Sequence, residues 1–351
     1  MVLSPSERGI KDLEDLGRQL ASHPHSKYIE RALGVLLQLG GADIDRLDWK
    51  ILAATLQDLE QGFEVFYPYR HIRKVAIFGS ARTPADRQIY QLATDFAACM
   101  AQQGFMAITG AGDGIMAAGN QGAGRDRSFG LNIRLPFEQG ANEYISDDPK
   151  LISFKYFFTR KLFFLRESDA IALFPGGFGT LDEAFESLTL CQTGKYGPAP
   201  IVFIDEPGSD YWQSLDRHIR DHLLVGNLIS PDDTSIYTIT DNIEVACRTI
   251  SDFYRVYHSS RFVDKFFVMR LNSKLTEVQV EELNTEFSDL LVQGRICQSQ
   301  ALAPEIGDET EHLPRLVFEF NQKNAARLCQ MIIRINQLGA TLPDSDHPER
   351  K

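Results

Sequence analysis

The sequence predicts an α/β protein: a Rossmann-like parallel sheet with helices on both faces, an N-terminal helical extension and a small C-terminal α+β domain. Two observations carry this. From Lys74 onward, short apolar runs alternate with helix-length segments. The runs are KVAIFGS, FMAITG, SFGLNIRLP, AIALFPGG and PIVFID. They are continuous rather than alternating, as strands buried on both faces are. Strands alternating with helices imply right-handed crossovers and a sheet covered on both sides. The second observation is that three runs end in small residues where a helix should begin. Gly79-Ser80 closes the first, residues 110–114 (GAGDG) the second, and residues 175–180 (PGGFGT) the fourth. In open α/β sheets, ligands sit outside the carboxyl ends of the strands, so glycines at three such ends predict one shared crevice.

The elements follow in order. Residues 1–70 read as helical, because LDWKILAATLQDLEQGFEVF (47–66) repeats apolar residues at helical spacing. The α/β domain is placed at 71–256. After Tyr257 the texture changes to a small α+β domain at 260–340. There FFVMRL (266–271) reads as a strand, and Thr276 to Gln279 form a capping box opening a helix to about Leu291. RICQSQ and PRLVFEF read as further strands, and a helix from about Asn324 to Leu338 is stopped by Gly339. The predicted order is β-α-β-β-α, for a dimerising, packing or effector-binding module. Residues 341–351 read as a flexible tail.

Composition sets limits. The chain has 351 residues, 43% hydrophobic and 24% charged, and can bury a sizeable core without staples. A net charge of −12 argues against a general nucleic-acid or membrane-surface binder, since those need a basic footprint. The five cysteines form no CxxC pair and read as reduced thiols. The N-terminal stretch has no apolar h-region, and no apolar segment approaches the ~18 residues of a membrane span. The expected location is cytoplasmic.

The segment ALFPGGFGTLDE (172–183) is the most informative. A turn of exposed amides leading into a helix N-terminus is an anion site, because the first amides lack partners and the helix dipole favours negative charge. Gly176, Gly177, Gly179 and Thr180 therefore make a candidate phosphate cradle. It is neither a P-loop nor a dinucleotide GxGxxG turn. Glu183 has a plain alternative: Thr180-Leu-Asp-Glu183 fits a T-x-x-E capping box with Glu183 at N3. Arg160 is the second candidate, on a helix that places it with Phe157 and Phe164 on one face. Lys161, Arg166 and Arg127 read more simply as surface charges.

PGGFGTLDE, the preceding Arg160-Lys161 pair, the following Thr189, and IFGSAR with ITGAGDGIMAAGNQGA upstream together resemble the LOG ("lonely guy") family. These are cytokinin riboside 5′-monophosphate phosphoribohydrolases, long labelled lysine decarboxylases. GLNIRLPFEQGANEYI (130–145) resembles the bacterial nucleotide 5′-monophosphate nucleosidase branch. The resemblance covers about residues 71–250. It implies a Rossmann-like, usually dimeric enzyme that cleaves a nucleoside 5′-monophosphate into free base and ribose 5-phosphate, without metal or other cofactor. It also implies Arg160 and Glu183 as the catalytic pair and the glycine turn as phosphate holder, with Lys161 and Thr189 nearby. Ser80, Gly112, Met116, Glu138 and Asn142 would line the crevice. The expected partners are the nucleotide and a second copy of the chain, with neither nucleic acid nor membrane. The competing reading is a non-catalytic nucleotide- or cofactor-binding protein of the same fold, such as the molybdenum cofactor carriers.

Overall fold

The structure, a computed structural model, describes residues 23–134 and 140–339. The proposed tail and Glu138 lie outside the described residues. The chain divides into two compact units between Gln57 and Asp58. The first holds helix α1 (Ser26–Gly40) and the start of α2 (Arg46–Phe66). Residues 58–66 of α2 belong to the second unit, which contains everything that follows.

Seven parallel strands form the main sheet: β1 (Lys74–Phe78), β2 (Met106–Thr109), β3 (Ser128–Ile133), β4 (Leu151–Phe154), β5 (Ala170–Leu173), β6 (Ile201–Ile204) and β7 (Tyr237–Thr240). Their order is β4-β3-β2-β1-β5-β6-β7. The chain builds outward from β1 through β4, then returns to place β5 on the other side of β1. The order therefore reverses between β1 and β5, the switch point where such sheets open a crevice.

The five apolar runs correspond to β1, β2, β3, β5 and β6. The sequence reading missed β4 and β7, and both are edge strands. Burial alternates along β4, and in β7 only Tyr237 is buried. An edge strand lacks the two-sided cover that makes a continuous apolar run.

Side chains alternate across β1. Val75 and Ile77 pack with α3 (Gln88–Gln102), α4 (Ile115–Ala123) and α8 (Ile243–Phe253). Ala76 and Phe78 face the opposite layer, which includes Phe66 of α2, Phe163 and Phe164 of α5 (Phe157–Arg166), and Ala184 of α6 (Phe178–Gln192). Trp212 of α7 (Tyr211–His218) joins that layer.

The C-terminal part forms an antiparallel sheet, β10-β11-β9-β8, from β8 (Tyr257–Val263), β9 (Phe266–Leu271), β10 (Cys297–Ser299) and β11 (Arg315–Phe318). Helices α9 (Glu277–Glu286) and α10 (Ala325–Gly339) pack against it. The order is β-β-α-β-β-α rather than the expected β-α-β-β-α. The missed β8 has a mostly half-buried to exposed stretch, HSSRF, and so no apolar signature. The Thr276–Gln279 capping box is formed, but α9 ends at Glu286 and a short 3₁₀ turn, Ser288–Leu290, follows. All five cysteines are free thiols. No helix among the described residues is long and apolar enough to cross a membrane.

Candidate active site

The loops after β1, β2 and β5 meet at the switch point. The Ser80 amide donates to Pro175 O at 3.1 Å, and the Ile115 amide donates to Ser80 O at 3.1 Å. Two glycines are dictated by this closure. Gly114 has φ +62°, and a Cβ there would lie 2.3 Å from Ser80 O. At Gly176 a Cβ would lie 2.1 Å from Thr180 Oγ1 and 2.9 Å from the Ser80 amide. Ser80, Gly176 and Thr180 are thus one contact cluster. Tyr211 secures the turn by donating its hydroxyl to Gly176 O.

Gly177 and Gly179 differ. A Cβ on either would meet nothing within 4 Å, and neither has positive φ. Neither backbone geometry nor packing requires glycine there. What the missing side chains leave is open approach to the start of α6, whose N-cap is Gly177 and which has no side-chain cap. The first amides of α6 therefore face that opening with the positive end of the helix dipole behind them.

This start point corrects the capping-box reading. With Gly177 as N-cap, Thr180 is the third residue of α6 and Glu183 lies a turn further in. Glu183 is not a cap. Its side chain is 13% exposed and accepts an ion pair from Lys161 at 3.5 Å. Burial raises its carboxyl pKa to about 7, partly offset by Lys161 and Arg160 and reinforced by Glu186 and Asp182. Lys161 Nζ also meets Glu186 at 2.7 Å and Asp182 at 3.0 Å. Lys161 is turned to the acids of α6. Burial works against its charge, and these carboxylates outweigh it, so its pKa is raised.

Arg160 donates Nε to Leu131 O at 2.7 Å, and its guanidinium lies 5.2 Å from the Phe164 ring centroid. Phe157, its other predicted companion, is 52% exposed. A Cβ on Gly110 would meet Arg160 Nη2 at 2.5 Å and Met116 Sδ at 2.6 Å, and one on Gly112 would meet Met116 Cε at 2.8 Å. Arg160, Met116 and Gly112 are therefore gathered at the end of β2. Asn142 stands behind this loop: its side chain donates to Gly112 O at 2.9 Å and to Asn120 Oδ1 at 3.0 Å. Asn120 in turn accepts from Thr109 Oγ1 at 2.7 Å, and Thr109 Oγ1 accepts the Ala111 amide at 3.0 Å. Asn142 thus braces the loop. Thr189 is not brought to the turn. It lies 11 residues beyond Phe178 on α6, about 16 Å along the axis, and its hydroxyl donates to Phe185 O.

Sequence reasoning missed Asp58. This buried carboxylate on α2 accepts the Lys155 amide at 3.0 Å, the Tyr156 amide at 3.3 Å and the Thr159 hydroxyl at 2.6 Å. Helix α5 has no side-chain cap at Tyr156; from another helix, Asp58 holds the two residues just ahead of α5 and the Thr159 hydroxyl in its first turn, and so positions the segment bearing Arg160 and Lys161. The signal was an acid among the helically spaced apolar residues of α2. Nearby, Gly62 admits the Phe163 ring, which a Cβ would meet at 2.1 Å.

The family described as "Possible lysine decarboxylase" matches residues 110–250. A cytokinin riboside 5′-monophosphate phosphoribohydrolase of Mycobacterium tuberculosis is 28% identical over 180 residues, covering 50% of this chain and 91% of that protein. Among solved structures, a molybdenum cofactor carrier protein of Chlamydomonas reinhardtii aligns at 15% identity and a TM-score of 0.34, covering 50% of this chain and 93% of that one. DNA processing protein A of Helicobacter pylori aligns at 16% identity and a TM-score of 0.34, covering 51% and 81%.

Proposed function

We propose that the α/β part of this chain, which is similar to the LOG family, hydrolyses the N-glycosidic bond of a nucleoside 5′-monophosphate, an adenosine monophosphate-like or cytokinin riboside substrate, to free base and ribose 5-phosphate. The observation that carries this reading is Glu183: a desolvated carboxyl with a pKa near 7, close behind an uncapped, glycine-opened helix start at the switch point.

The 5′-phosphate sits on the amides of α6, with Gly177 and Gly179 giving it access and Thr180 adding a hydroxyl. As the bond from C1′ to the base nitrogen breaks, its electron pair leaves with the base and the sugar gains oxocarbenium character. Ionised Glu183 stabilises that charge and takes a proton from the attacking water, whose oxygen bonds to C1′. Arg160 supplies positive charge to the electron pair left on the departing base, and the base takes up the proton that Glu183 removed from water, which returns Glu183 to its ionised form. Lys161 keeps part of the Glu183 population ionised at neutral pH. Binding energy from the remote phosphate positions the sugar, so nucleosides lacking it lose rate as well as affinity. A second copy of the chain is the proposed partner, and Phe157 on α5 with Phe178 and Phe185 on α6 are exposed aromatic side chains available to such a contact.

The test is a panel of nucleoside 5′-monophosphates and matching nucleosides, with free base followed by chromatography. Release from a monophosphate and none from its nucleoside is expected. Tight nucleotide binding without release would instead favour a non-catalytic carrier.

A further inference from the structure

At the opposite end of the main sheet lies a trench of about 1520 Å³. It runs past the residues that precede β3, β2, β1, β5 and β6, about 19 Å at ordinary strand spacing. The C-terminal domain walls its other side through Tyr257, His258 and the loop carrying Glu309 and His312. That loop is firmly held. Buried Arg315 pairs with buried Glu305 at 2.9 Å and donates to the carbonyls of Thr310, Glu311 and Leu313.

The charge of this trench opposes that of the chain. Counting the side chains that line it, Arg70, Arg73, Arg127, Lys161, Arg166 and Lys195 face three carboxylates, Asp169, Glu186 and Glu309, in a protein of net charge −12; behind the wall Lys161 also pairs with Asp182 and Glu183, and Arg166 with Glu167. Arg73 is fixed by Asp169 at 3.0 Å and His258 O at 2.9 Å, and lies 3.7 Å from the Tyr254 ring centroid. Glu309, which reaches His71 at 3.2 Å and Arg70 at 3.6 Å, is 69% exposed. An exposed pair of that kind is worth little and is readily exchanged. Burial holds the His258 pKa down to about 4, with Arg73, Arg270 and His312 adding to the effect. The wall also contains Ser168, 7% exposed, whose hydroxyl has no hydrogen-bond partner.

We propose that this trench is a second ligand site, for a small molecule carrying several phosphate or carboxylate groups. Guanidinium forks suit both anions. The ligand displaces Glu309 and spans cations that no single protein carboxylate bridges. Lys161 and Glu186 line the trench and belong to the Glu183 cluster. An anion that competes with Glu186 for Lys161 therefore alters the ionisation of Glu183. This regulatory step rests on the hydrolase reading given above; binding itself does not.

The experiment follows the His258 and His312 ring resonances of the full chain by NMR, titrating tripolyphosphate and, separately, citrate at constant ionic strength. Saturable shifts and an upward move of the His258 pKa are expected with at least one of them, and which one responds identifies the anionic group. Arg127 and Lys195 are exposed, so the double variant Arg127→Glu/Lys195→Glu should keep its melting temperature and basal turnover. It should bind the probe at least tenfold more weakly and lose any effect of the probe on turnover. Three results would overturn the site: no saturable shift, equal binding by the double variant, or a dimer in which a second copy fills the trench. Displacement of the probe by a nucleoside monophosphate would also overturn it, by placing the anion in the crevice. A chain that hydrolyses nothing yet binds tripolyphosphate through these residues would refute the hydrolase and keep the trench.

Discussion

The two ends of one sheet offer anions opposite kinds of welcome. At the carboxyl ends, the α6 turn uses backbone amides, with Gly177 and Gly179 clearing the approach. At the amino ends, the trench uses long side chains, many already engaged with carboxylates. Amides are fixed by the fold and carry no counterion to be displaced. Guanidinium and ammonium groups can trade one partner for another. The first arrangement suits a substrate held in one pose for chemistry, the second a ligand whose arrival rearranges ion pairs.

Substitutions can break or sharpen this contrast. The largest effect should come from Glu183→Gln, which we expect to lower turnover by about 10²–10⁴ while the fold persists, as steady-state kinetics beside thermal melts would show. Wild-type turnover should rise as pH passes through about 7, and that rise should vanish in the variant. Next comes stability. Because folding raises the Glu183 pKa from 4.5 to about 7, the folded state binds this proton more tightly. Stability is therefore lost as pH rises across that window. Glu183→Gln should then be the more stable protein above pH 7, by at most about 3 kcal/mol, with the gap closing below the unfolded pKa; denaturant melts at several pH values measure it.

Asp58→Ala should destabilise by about 2–3 kcal/mol, since it strands amides and a hydroxyl at the start of α5. Asp58→Asn should recover part of that in the same unfolding assay. Smallest is Gly177→Ala, which meets no atom and should leave the melting temperature unchanged. It should raise KM for a monophosphate about tenfold by crowding the phosphate, and an unaltered KM would argue against phosphate on this turn.

The crevice was legible in sequence because a site built from backbone must spell itself in glycines. The trench was not, because its cations come from separate segments that only the β3-β2-β1-β5-β6 order brings together. Three of those cations, Arg127, Lys161 and Arg166, read from their residues alone as plain surface charge. The same logic separates the strands. Buried β1, β2, β3, β5 and β6 announced themselves, whereas the edge strands β4 and β7 lack continuous burial. Thr180 was misassigned as a cap because T-x-x-E fits the spacing, although the helix already starts at Phe178. The stretch GLNIRLPFEQGANEYI flags Asn142 but not its role as a brace, because its tie to Gly112 depends on a fold that brings distant segments together.

The Asp58 tie has a bearing on modularity. The family model matches from residue 110 and the first strand of the sheet starts at Lys74, yet the acid that holds the start of the Arg160 helix lies upstream of both. An α/β domain excised at its apparent boundary would leave behind the clamp on its own arginine. Autonomy in this chain therefore starts inside the preceding helix, and transplanting the domain into another protein would have to carry the last turns of that helix with it.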